Sequence, residues 1–351
     1  MKEQLRQFFE EKFGQKADSW QLTKLHGDAS YRTYFRANLG PGKTFIVMQL
    51  PAGQASVSEE ITNLREKPRD LPFLEIARYL GGLGLPVPQV HHYDSKNRFL
   101  ILEDLGDETL EKRVSLKPKE KESWYKKAID LLVEMQRRTR LDSQARQASE
   151  KGRCIAFQRS FDETLFNWEL DHFREYGIEI RLNRKIGASD LSLFEKYRRQ
   201  IASVLTKMPT VFTHRDYQSR NLMIHREKLY LLDFQDALIG PMVYDLVALL
   251  RDSYIVLEPD LVDELLHDYL EKRGETVSLD FSSLRMMFDW VTIQRKLKDA
   301  GRFVYIDRVK GNRGFLPSIP ASLAYVKEAF TRQKSLGEFF ELLKKYVPEF
   351  S

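Results

Sequence analysis

The segment from Asn221 to Asp233 constrains the fold of this chain more than any other. Two short apolar runs, at 222–225 and 229–232, flank a polar turn at 226–228. Apolar runs separated by a short polar turn are typical of a β-hairpin. A hairpin folds back on itself, so Asn221 before the first strand and Asp233 after the second are expected at the same end. The sequence therefore predicts a site that combines an amide oxygen with a carboxylate.

The loop that leads into this hairpin reads HRDYQSRN at 214–221. It matches the H-R-D-x-x-x-x-N pattern of enzymes that transfer phosphoryl groups. In that chemistry a carboxylate orients the attacking hydroxyl, and hard oxygen ligands hold Mg²⁺. We therefore predict that Asp216 is the catalytic residue and that Asn221 and Asp233 are ligands of Mg²⁺. Asp236, in the run DFQD, is either a second carboxylate ligand or a structural carboxylate.

The pattern of the chain changes from strands to helices near Leu105. Runs rich in β-branched and aromatic residues predict a small sheet, with a helix around 73–80 between its third and fourth strands. The predicted strands are 22–26, 31–37, 44–50, 87–93 and 98–104. A chain of 351 residues is long enough for two such parts. We predict an α+β fold with a β-rich amino lobe at 1–104 and a mainly helical carboxy lobe at 105–351.

Smaller signals complete this outline. The amino terminus, residues 1–14, interleaves charges with Leu and Phe and predicts an amphipathic helix rather than a signal peptide. Ser160 and Glu163 match a capping box at the start of a helix. Two polar segments, 51–70 and 142–154, predict loops.

Composition argues against several functional classes. Cys154 is the only cysteine, so the chain cannot form an internal disulfide. No run approaches the roughly 18 apolar residues that a membrane span requires. The net charge of +5 comes without a basic stretch interleaved with aromatic residues, and so does not indicate a nucleic-acid partner. We expect a cytoplasmic protein with neither a nucleic-acid nor a membrane partner.

Together these motifs resemble a known superfamily. HRDYQSRNLM, followed by YLLDFQDALIGPMVYDLVALL, is similar to the aminoglycoside phosphotransferases and choline kinases. The resemblance covers most of the chain and implies a protein-kinase-like two-lobed fold, with Asp245 as a buried structural carboxylate. Within the superfamily the sequence resembles most closely the bacterial anomeric sugar kinases. Those enzymes phosphorylate N-acetylmuramate and N-acetylglucosamine at the C1 hydroxyl in cell-wall recycling.

The resemblance also implies where ATP binds. In the segment LILEDLG, a backbone carbonyl and a backbone N–H would contact the adenine edge. The loop at 27–30 would cover the phosphates, because glycine allows close backbone approach and Ser and Arg side chains donate to phosphate oxygens. The residues implied to contact the nucleotide are Gly27, Asp28, Ser30, Arg32, Glu103 and Leu105.

The third strand departs from the pattern of kinase-like folds. Such folds normally carry a Lys or Arg there that pairs with the nucleotide phosphates, but this strand has no cation near Met48. Arg32 or Arg36 is expected to substitute, which leaves the role of Glu75 on the following helix open. The gap keeps a second hypothesis open, namely a catalytically silent nucleotide-binding module.

Charge distinguishes among the possible acceptors. Residues 281–315 contain eight basic and three acidic side chains. Beside the acceptor, such a segment would attract a carboxylate and repel a polycation. Arg295 is the predicted acceptor contact. The leading hypothesis is an ATP- and Mg²⁺-dependent kinase of N-acetylmuramate or N-acetylglucosamine; the alternative acceptor is another small alcohol, such as an aminoglycoside or a choline-like molecule.

Overall fold

The computed structural model describes residues 2–14, 20–25, 32–51, 71–145, 154–273 and 279–351. Its amino-terminal part is an antiparallel five-stranded sheet with strand order β1-β2-β3-β5-β4. These strands are β1 Gln21–Lys24, β2 Thr33–Asn38, β3 Thr44–Gln49, β4 Val90–Asp94 and β5 Phe99–Glu103. Two helices accompany the sheet, α1 Lys2–Phe13 and α2 Pro72–Gly82.

Alternation along β3 explains why both faces of the sheet are covered. Successive side chains of a strand point to opposite faces. Val47 belongs to a small apolar cluster with Leu5 and Phe9 of α1, whereas Met48 belongs to the main core, which includes α2. The amphipathic helix predicted at the amino terminus is thus confirmed. It covers one face of the sheet and leaves the other to α2 and the helical part.

Helices dominate the chain from residue 110 onward. They are α3 Leu110–Leu116, α4 Lys121–Ala145, α5 Glu163–His172, α6 Ala188–Leu205, α7 Tyr244–Leu250, α8 Pro259–Arg273, α9 Phe281–Lys310, α10 Ile319–Arg332 and α11 Gly337–Lys344. A π-helix, Phe173–Ile180, continues directly from α5. The long helix α9 is central to this part, because it packs against α10, the π-helix, α5 and α7.

Short strands interrupt the helical part between residues 210 and 241. They form two antiparallel pairs, β6 Thr210–Thr213 with β9 Leu238–Pro241 and β7 Leu222–His225 with β8 Lys228–Leu231. The turn between β7 and β8 consists of Arg226 and Glu227, with φ of 48° and 60°. Positive φ at both central residues suits the twist of a two-residue hairpin turn. The hairpin predicted from the sequence is confirmed.

Two local predictions need correction. The side chain that caps α5 is Asp162, which accepts a 2.8 Å hydrogen bond from the backbone N–H of Leu165. Ser160 instead forms an isolated β-bridge with Ile239, a contact distant in sequence that holds its backbone extended. The predicted loop at 142–154 is also wrong at its start, because α4 continues to Ala145, while residues 146–153 lie outside the described residues.

The predicted α+β fold class is confirmed, since the large sheet ends at Glu103 and helices dominate afterwards. The exact lobe boundary at Leu105 stays a prediction. Apart from its first residue, the predicted loop at 51–70 lies outside the described residues. Among the helices of the described ranges, none combines the length and the apolar character needed to cross a membrane.

Gly301 allows α9 to pack directly against the π-helix. A Cβ atom at this position would lie 2.7 Å from the Cα of Phe173 and 3.1 Å from the carbonyl oxygen of His172. Backbone atoms cannot rotate away as a side chain can, so the added methyl group forces the helices apart. We expect Gly301→Ala to lower the free energy of unfolding by about 1–3 kcal/mol, measured by chemical denaturation.

Gly337 supplies the matched control for this substitution. It is the first residue of α11, and an added Cβ would meet no atom within 4 Å. Gly337→Ala is expected to leave the stability unchanged or to raise it slightly, because alanine reduces the freedom of the unfolded chain. Equal stability of the two variants would contradict the role assigned to close packing at Gly301.

Candidate active site

A buried carboxylate fixes the backbone of the loop at 214–221. Asp245 of α7 is 1% exposed and accepts hydrogen bonds from the backbone N–H groups of His214, at 2.7 Å, and Arg215, at 2.9 Å. Burial raises the pKa of Asp245 to about 7. Because a buried carboxylate requires hydrogen-bond partners, these contacts tie the loop to the core just before Asp216. Asp245 is thus the buried structural carboxylate that the resemblance implies.

A second buried carboxylate holds the loop after Asp216. Asp252 accepts hydrogen bonds from the backbone N–H of Ser219, at 2.9 Å, and from its hydroxyl, at 2.5 Å. The other oxygen of Asp252 accepts from the backbone N–H of Tyr254 at 3.1 Å. The loop is therefore anchored on both sides of Asp216, which restricts the positions that its carboxylate can take.

Arg215 stores backbone strain next to Asp216. Its φ is 78°, a left-handed value that non-glycine residues rarely adopt. The guanidinium donates to the fully buried carboxylate of Glu169 at 3.2 Å, and Gln294 of α9 donates to the other oxygen of Glu169 at 2.7 Å. These buried contacts hold Arg215 in the strained conformation.

The carboxylate of Asp216 is partly open to solvent and lies against a cation. Its side chain is 34% exposed, and Nη2 of Arg295 lies 3.3 Å from Oδ1. Nη1 of Arg295 donates to the carbonyl of Arg215 at 2.7 Å. Burial raises the pKa of Asp216, but the positive charges of Lys298 and Arg295 outweigh it and keep the pKa below its ordinary value. Asp216 is consequently ionised at neutral pH and can accept a hydrogen bond from a hydroxyl group.

The hairpin brings Asn221 and Asp233 to the same end, beside Asp216. The amide nitrogen of Asn221 donates to the carbonyl of Asp216 at 2.8 Å, and its backbone carbonyl accepts from the N–H of Leu232 at 2.9 Å. Asp233 follows Leu232 with a φ of 62°, and its side chain is 45% exposed. The amide oxygen of Asn221 and the carboxylate of Asp233 remain as possible ligand atoms.

Negative charge accumulates at this end of the hairpin. Loss of hydration on the inner side of the partly exposed carboxylate, together with the negative charges of Asp216 and Asp236, raises the pKa of Asp233 to about 6, although Gln235 donates to it at 2.8 Å. A cation between like charges relieves such repulsion. Oδ1 of Asp236 is buried without a hydrogen-bond partner in the described part of the chain, which leaves both of its predicted roles open.

The donor set fits Mg²⁺, which prefers hard oxygen ligands and usually takes only one or two carboxylates from a protein. Across the described ranges, no group of three His, Cys, Asp or Glu side chains could hold a metal ion. Asn221 and Asp233, joined at most by Asp236, would thus form an incomplete shell. Phosphate oxygens and water would have to supply the other ligands.

Of the two cations expected to replace the missing one on β3, Arg32 lies nearer the candidate metal ligands. Nη1 of Arg32 is 3.8 Å from Oδ1 of Asp233. Arg36, four residues further along the chain and within β2, pairs with Asp104 at 2.7 Å and Asp107 at 2.9 Å, in the connection that follows the sheet. Arg32 is therefore the better placed substitute.

The structure also shows the surroundings of Met48, which stands where kinase-like folds carry a cation, and of Glu75, whose role the sequence leaves open. Met48 is fully buried in the core, and Glu75 accepts a 2.6 Å hydrogen bond from the backbone N–H of Ile155. Glu75 thus joins α2 to the segment that precedes α5. Phe234, next to Asp233, stacks on Phe73 of α2 with ring centroids 4.9 Å apart.

The segment predicted to contact adenine follows the end of β5. A side-chain oxygen of Glu103 accepts from the backbone N–H of Gln89 at 3.1 Å, and the carbonyl of Leu105 lies 3.2 Å from Nδ1 of His225. Neither contact involves the groups predicted to bind adenine, which are the backbone carbonyl of Glu103 and the backbone N–H of Leu105. The role of these two groups stays a prediction. Gly27, Asp28 and Ser30 lie outside the described residues.

Sequence reasoning did not single out three residues that support the site. Glu169 and Gln294 hold Arg215, and Lys298 lowers the pKa of Asp216 after burial has raised it. One signal was available for Lys298: it follows Arg295 by three residues on α9, and such residues share a helix face. The partner of Glu169 could not be predicted, because Arg215 is 46 positions away.

Comparison with known proteins places the chain in a family. A model of the phosphotransferase enzyme family matches residues 21–281. The N-acetylmuramate/N-acetylglucosamine kinase of Neisseria meningitidis serogroup B is 32% identical over 333 residues, which cover 93% of this chain and 90% of that relative.

Solved structures agree with the fold. The choline kinase LicA from Streptococcus pneumoniae superposes with a TM-score of 0.59 at 14% identity, covering 95% of this chain and 99% of that one. The ADP-bound aminoglycoside phosphotransferase APH(2″)-Ib gives a TM-score of 0.58 at 16% identity, covering 93% and 98%. The predicted protein-kinase-like two-lobed fold is confirmed. The chain belongs to the phosphotransferase enzyme family, and it is a kinase that transfers a phosphoryl group to an alcohol acceptor.

Proposed function

We propose that this kinase transfers the γ-phosphoryl group of ATP, with Mg²⁺, to the anomeric hydroxyl of N-acetylmuramate or N-acetylglucosamine. The observation that carries the reaction is the meeting of Asp216, Asn221 and Asp233 at one end of a hairpin, next to an anchored loop. The acceptor is proposed from the 32% identity to the kinase of Neisseria meningitidis. A role in cell-wall recycling in the cytoplasm follows from that acceptor.

In this proposal Asp216 orients the C1 hydroxyl of the sugar and accepts its proton as the hydroxyl oxygen attacks the γ-phosphorus. The bond from that phosphorus to the oxygen that bridges to the β-phosphate breaks, and ADP leaves. Its low pKa suits orientation, since an ionised carboxylate accepts a hydrogen bond throughout the neutral range. Asn221 and Asp233 would hold Mg²⁺, which when bound neutralises charge on the phosphates. Arg32 would add a positive charge on the sheet side. The protein then contributes mainly positioning and charge stabilisation.

The nucleotide would lie between the sheet and the hairpin. The backbone groups of Glu103 and Leu105 would bind adenine, and Arg32, with Gly27, Asp28 and Ser30, would contact the phosphates. The ADP-bound neighbour of the same fold supports a nucleotide in this cleft. ATP and Mg²⁺ are thus the proposed cofactors, and a small-molecule sugar the proposed acceptor.

Phosphorus NMR tests the proposal directly. Incubation with ATP, Mg²⁺ and N-acetylmuramate is expected to yield a phosphorus signal that couples to the anomeric proton, which identifies both the sugar and the position. Parallel reactions with N-acetylglucosamine, choline and an aminoglycoside compare the acceptors. Turnover of a cationic acceptor alone would overturn the sugar assignment. ATP binding without turnover of any acceptor would support the catalytically silent alternative.

Arg295 was predicted from the sequence to contact the acceptor, and substitution by Lys distinguishes that role from a positioning role. The side chain is fully buried and contacts both the Arg215 carbonyl and Asp216. Lysine keeps the charge but cannot form both contacts with the geometry of a guanidinium. For Arg295→Lys we expect kcat to fall about tenfold or more, with little change in the acceptor KM. A raised acceptor KM at unchanged kcat would instead support a direct contact.

A further inference from the structure

One face of α9 carries a row of side chains whose first member, Arg295, contacts Asp216. Arg295, Lys298, Arg302 and Tyr305 follow one another at intervals of three, four and three residues, the spacing of a single helix face. With a rise of about 1.5 Å per residue, Lys298 lies roughly one turn beyond Arg295 and Arg302 roughly two turns. The row therefore extends away from the candidate catalytic carboxylate.

An aromatic wall adjoins this row. At the junction of α5 and the π-helix, His172 stacks on Trp168 with ring centroids 5.3 Å apart. His172 also contacts Tyr176, at 4.6 Å, and Tyr305 of α9, at 5.3 Å. The π-helix and the close packing at Gly301 bring these elements together. Short π-helical segments occur frequently at functional sites, and aromatic faces pack well against sugar rings.

Neighbouring carboxylates neutralise only part of the positive charge of the row: Asp216 pairs with Arg295. Arg302 lies over the ring of Tyr305 at 4.8 Å, and no carboxylate of the described ranges forms an ion pair with it. Lys298 lies 3.4 Å from Asp299, but Asp299 also pairs with Lys296 at 2.8 Å. The single negative charge of Asp299 is therefore shared between Lys296 and Lys298.

Neighbouring groups do not remove this surplus. Asp171, beside His172 in the chain, is paired with Arg174 at 2.8 Å. Burial and the charges of Arg302 and Lys298 lower the pKa of His172 to about 4, so its imidazole is neutral at physiological pH. Other cations of the basic segment are engaged elsewhere: Arg285 pairs with Asp263, and Arg308 and Arg313 pair with Asp307.

We propose that Lys298 and Arg302 form a subsite that binds a carboxylate on the sugar acceptor, while Tyr176 and Tyr305 line the sugar ring. The inference rests on the proposed function, because it takes the reacting hydroxyl to lie at Asp216. A carboxylate on the far side of the sugar ring from that hydroxyl would lie one to two helical turns beyond Arg295, next to Lys298 and Arg302. The lactyl carboxylate of N-acetylmuramate, attached at C3 when C1 reacts, has this arrangement. N-acetylglucosamine has no group to pair with the two cations.

The test compares the two sugars on one protein. For Arg302→Gln we expect the ratio of kcat/KM for N-acetylmuramate to kcat/KM for N-acetylglucosamine to fall about 10- to 100-fold, because a hydrogen bond to a charged group is lost for one sugar only. Arg308→Gln is the matched control: it lies on the same helix, is paired with Asp307 and is expected to keep the wild-type ratio. A ratio unchanged in Arg302→Gln, or an equal loss for both sugars, would overturn the subsite.

Binding without turnover separates this inference from the proposed reaction. Calorimetry with N-acetylmuramate and the full chain should show binding that weakens about tenfold in Arg302→Gln, even if the wild-type protein phosphorylates neither sugar. Binding without phosphorylation would keep the subsite and overturn the proposed reaction. Equal wild-type affinity for the two sugars would overturn the subsite, whatever the catalytic result.

Discussion

Asp216→Asn is expected to lower kcat about 10³-fold or more, with binding of ATP and of the acceptor largely retained. Asparagine has nearly the same shape as aspartate but cannot accept the proton of the attacking hydroxyl. The anchors of the loop, Asp245 and Asp252, are unchanged by this substitution. The lowered pKa of Asp216 means that its charge stabilises the fold, so the free energy of unfolding should fall, but only by about 1 kcal/mol, because the side chain is 34% exposed and Arg295 keeps its hydrogen bond to the carbonyl of Arg215.

A coupled assay of ADP production and a thermal unfolding curve measure these two effects on the same preparations. Asp260→Asn serves as a control for the chemical change, because Asp260 is an exposed residue in the first turn of α8. It is expected to behave as the wild-type protein in both measurements. Near-normal turnover in Asp216→Asn would show that another group accepts the proton.

Asp233→Asn is expected to lower kcat/KM for ATP at least 100-fold and to raise the Mg²⁺ concentration needed for activity, because it removes a charged metal ligand. Asparagine is the suitable replacement because it tolerates the left-handed φ of 62° at this position. Activity is measured as a function of Mg²⁺ at saturating acceptor, and thermal unfolding with and without ADP and Mg²⁺.

The sign of the stability effect follows from the pKa of Asp233, which is raised to about 6 in the folded protein. Because the pKa of this carboxyl is higher in the folded than in the unfolded protein, its ionised form destabilises the fold. The destabilisation grows as pH rises above the pKa of the unfolded protein and reaches its full size above a pH of about 6. At pH 7 without metal, Asp233→Asn should therefore be at least as stable as the wild-type protein. It should also lose the stabilisation that ADP and Mg²⁺ give together. Full retention of that stabilisation would rule out Asp233 as a ligand.

The same measurements on Asp236→Asn decide between its two predicted roles. A metal ligand would show the same increase in Mg²⁺ requirement as Asp233. A structural carboxylate would instead lower the unfolding temperature at every Mg²⁺ concentration. The buried Oδ1 atom of Asp236 has no hydrogen-bond partner in the described part of the chain, and so its contacts do not decide between these two roles.

The parts of this site that the sequence predicts are those encoded by neighbouring residues. The turn at Arg226 and Glu227 and the apolar runs around it define a hairpin, and the hairpin alone is enough to bring Asn221 to Asp233. The sheet of the amino-terminal part is predicted for the same reason. Strand periodicity and turn residues are local signals that tertiary packing here does not override.

Contacts distant in sequence account for what the sequence does not predict. Ser160 has the chemistry of a cap, but its pairing with Ile239 leaves Asp162 to begin the helix. Arg295 has the charge expected of an acceptor contact, yet the approach of α9 to the loop buries it against Asp216. Neither partner is visible in a local window, since each depends on how separate elements pack.

Arg36 of β2 and Arg32, which directly precedes this strand, form ion pairs with different parts of the chain. Arg36 is held by Asp104 and Asp107, while Arg32, four residues earlier, reaches Asp233. Four residues of extended strand span about 13 Å, so a tilt of about 10° about the Arg36 end displaces Arg32 by roughly 2 Å. A small change of angle is therefore enough to make or break the contact between Arg32 and Asp233.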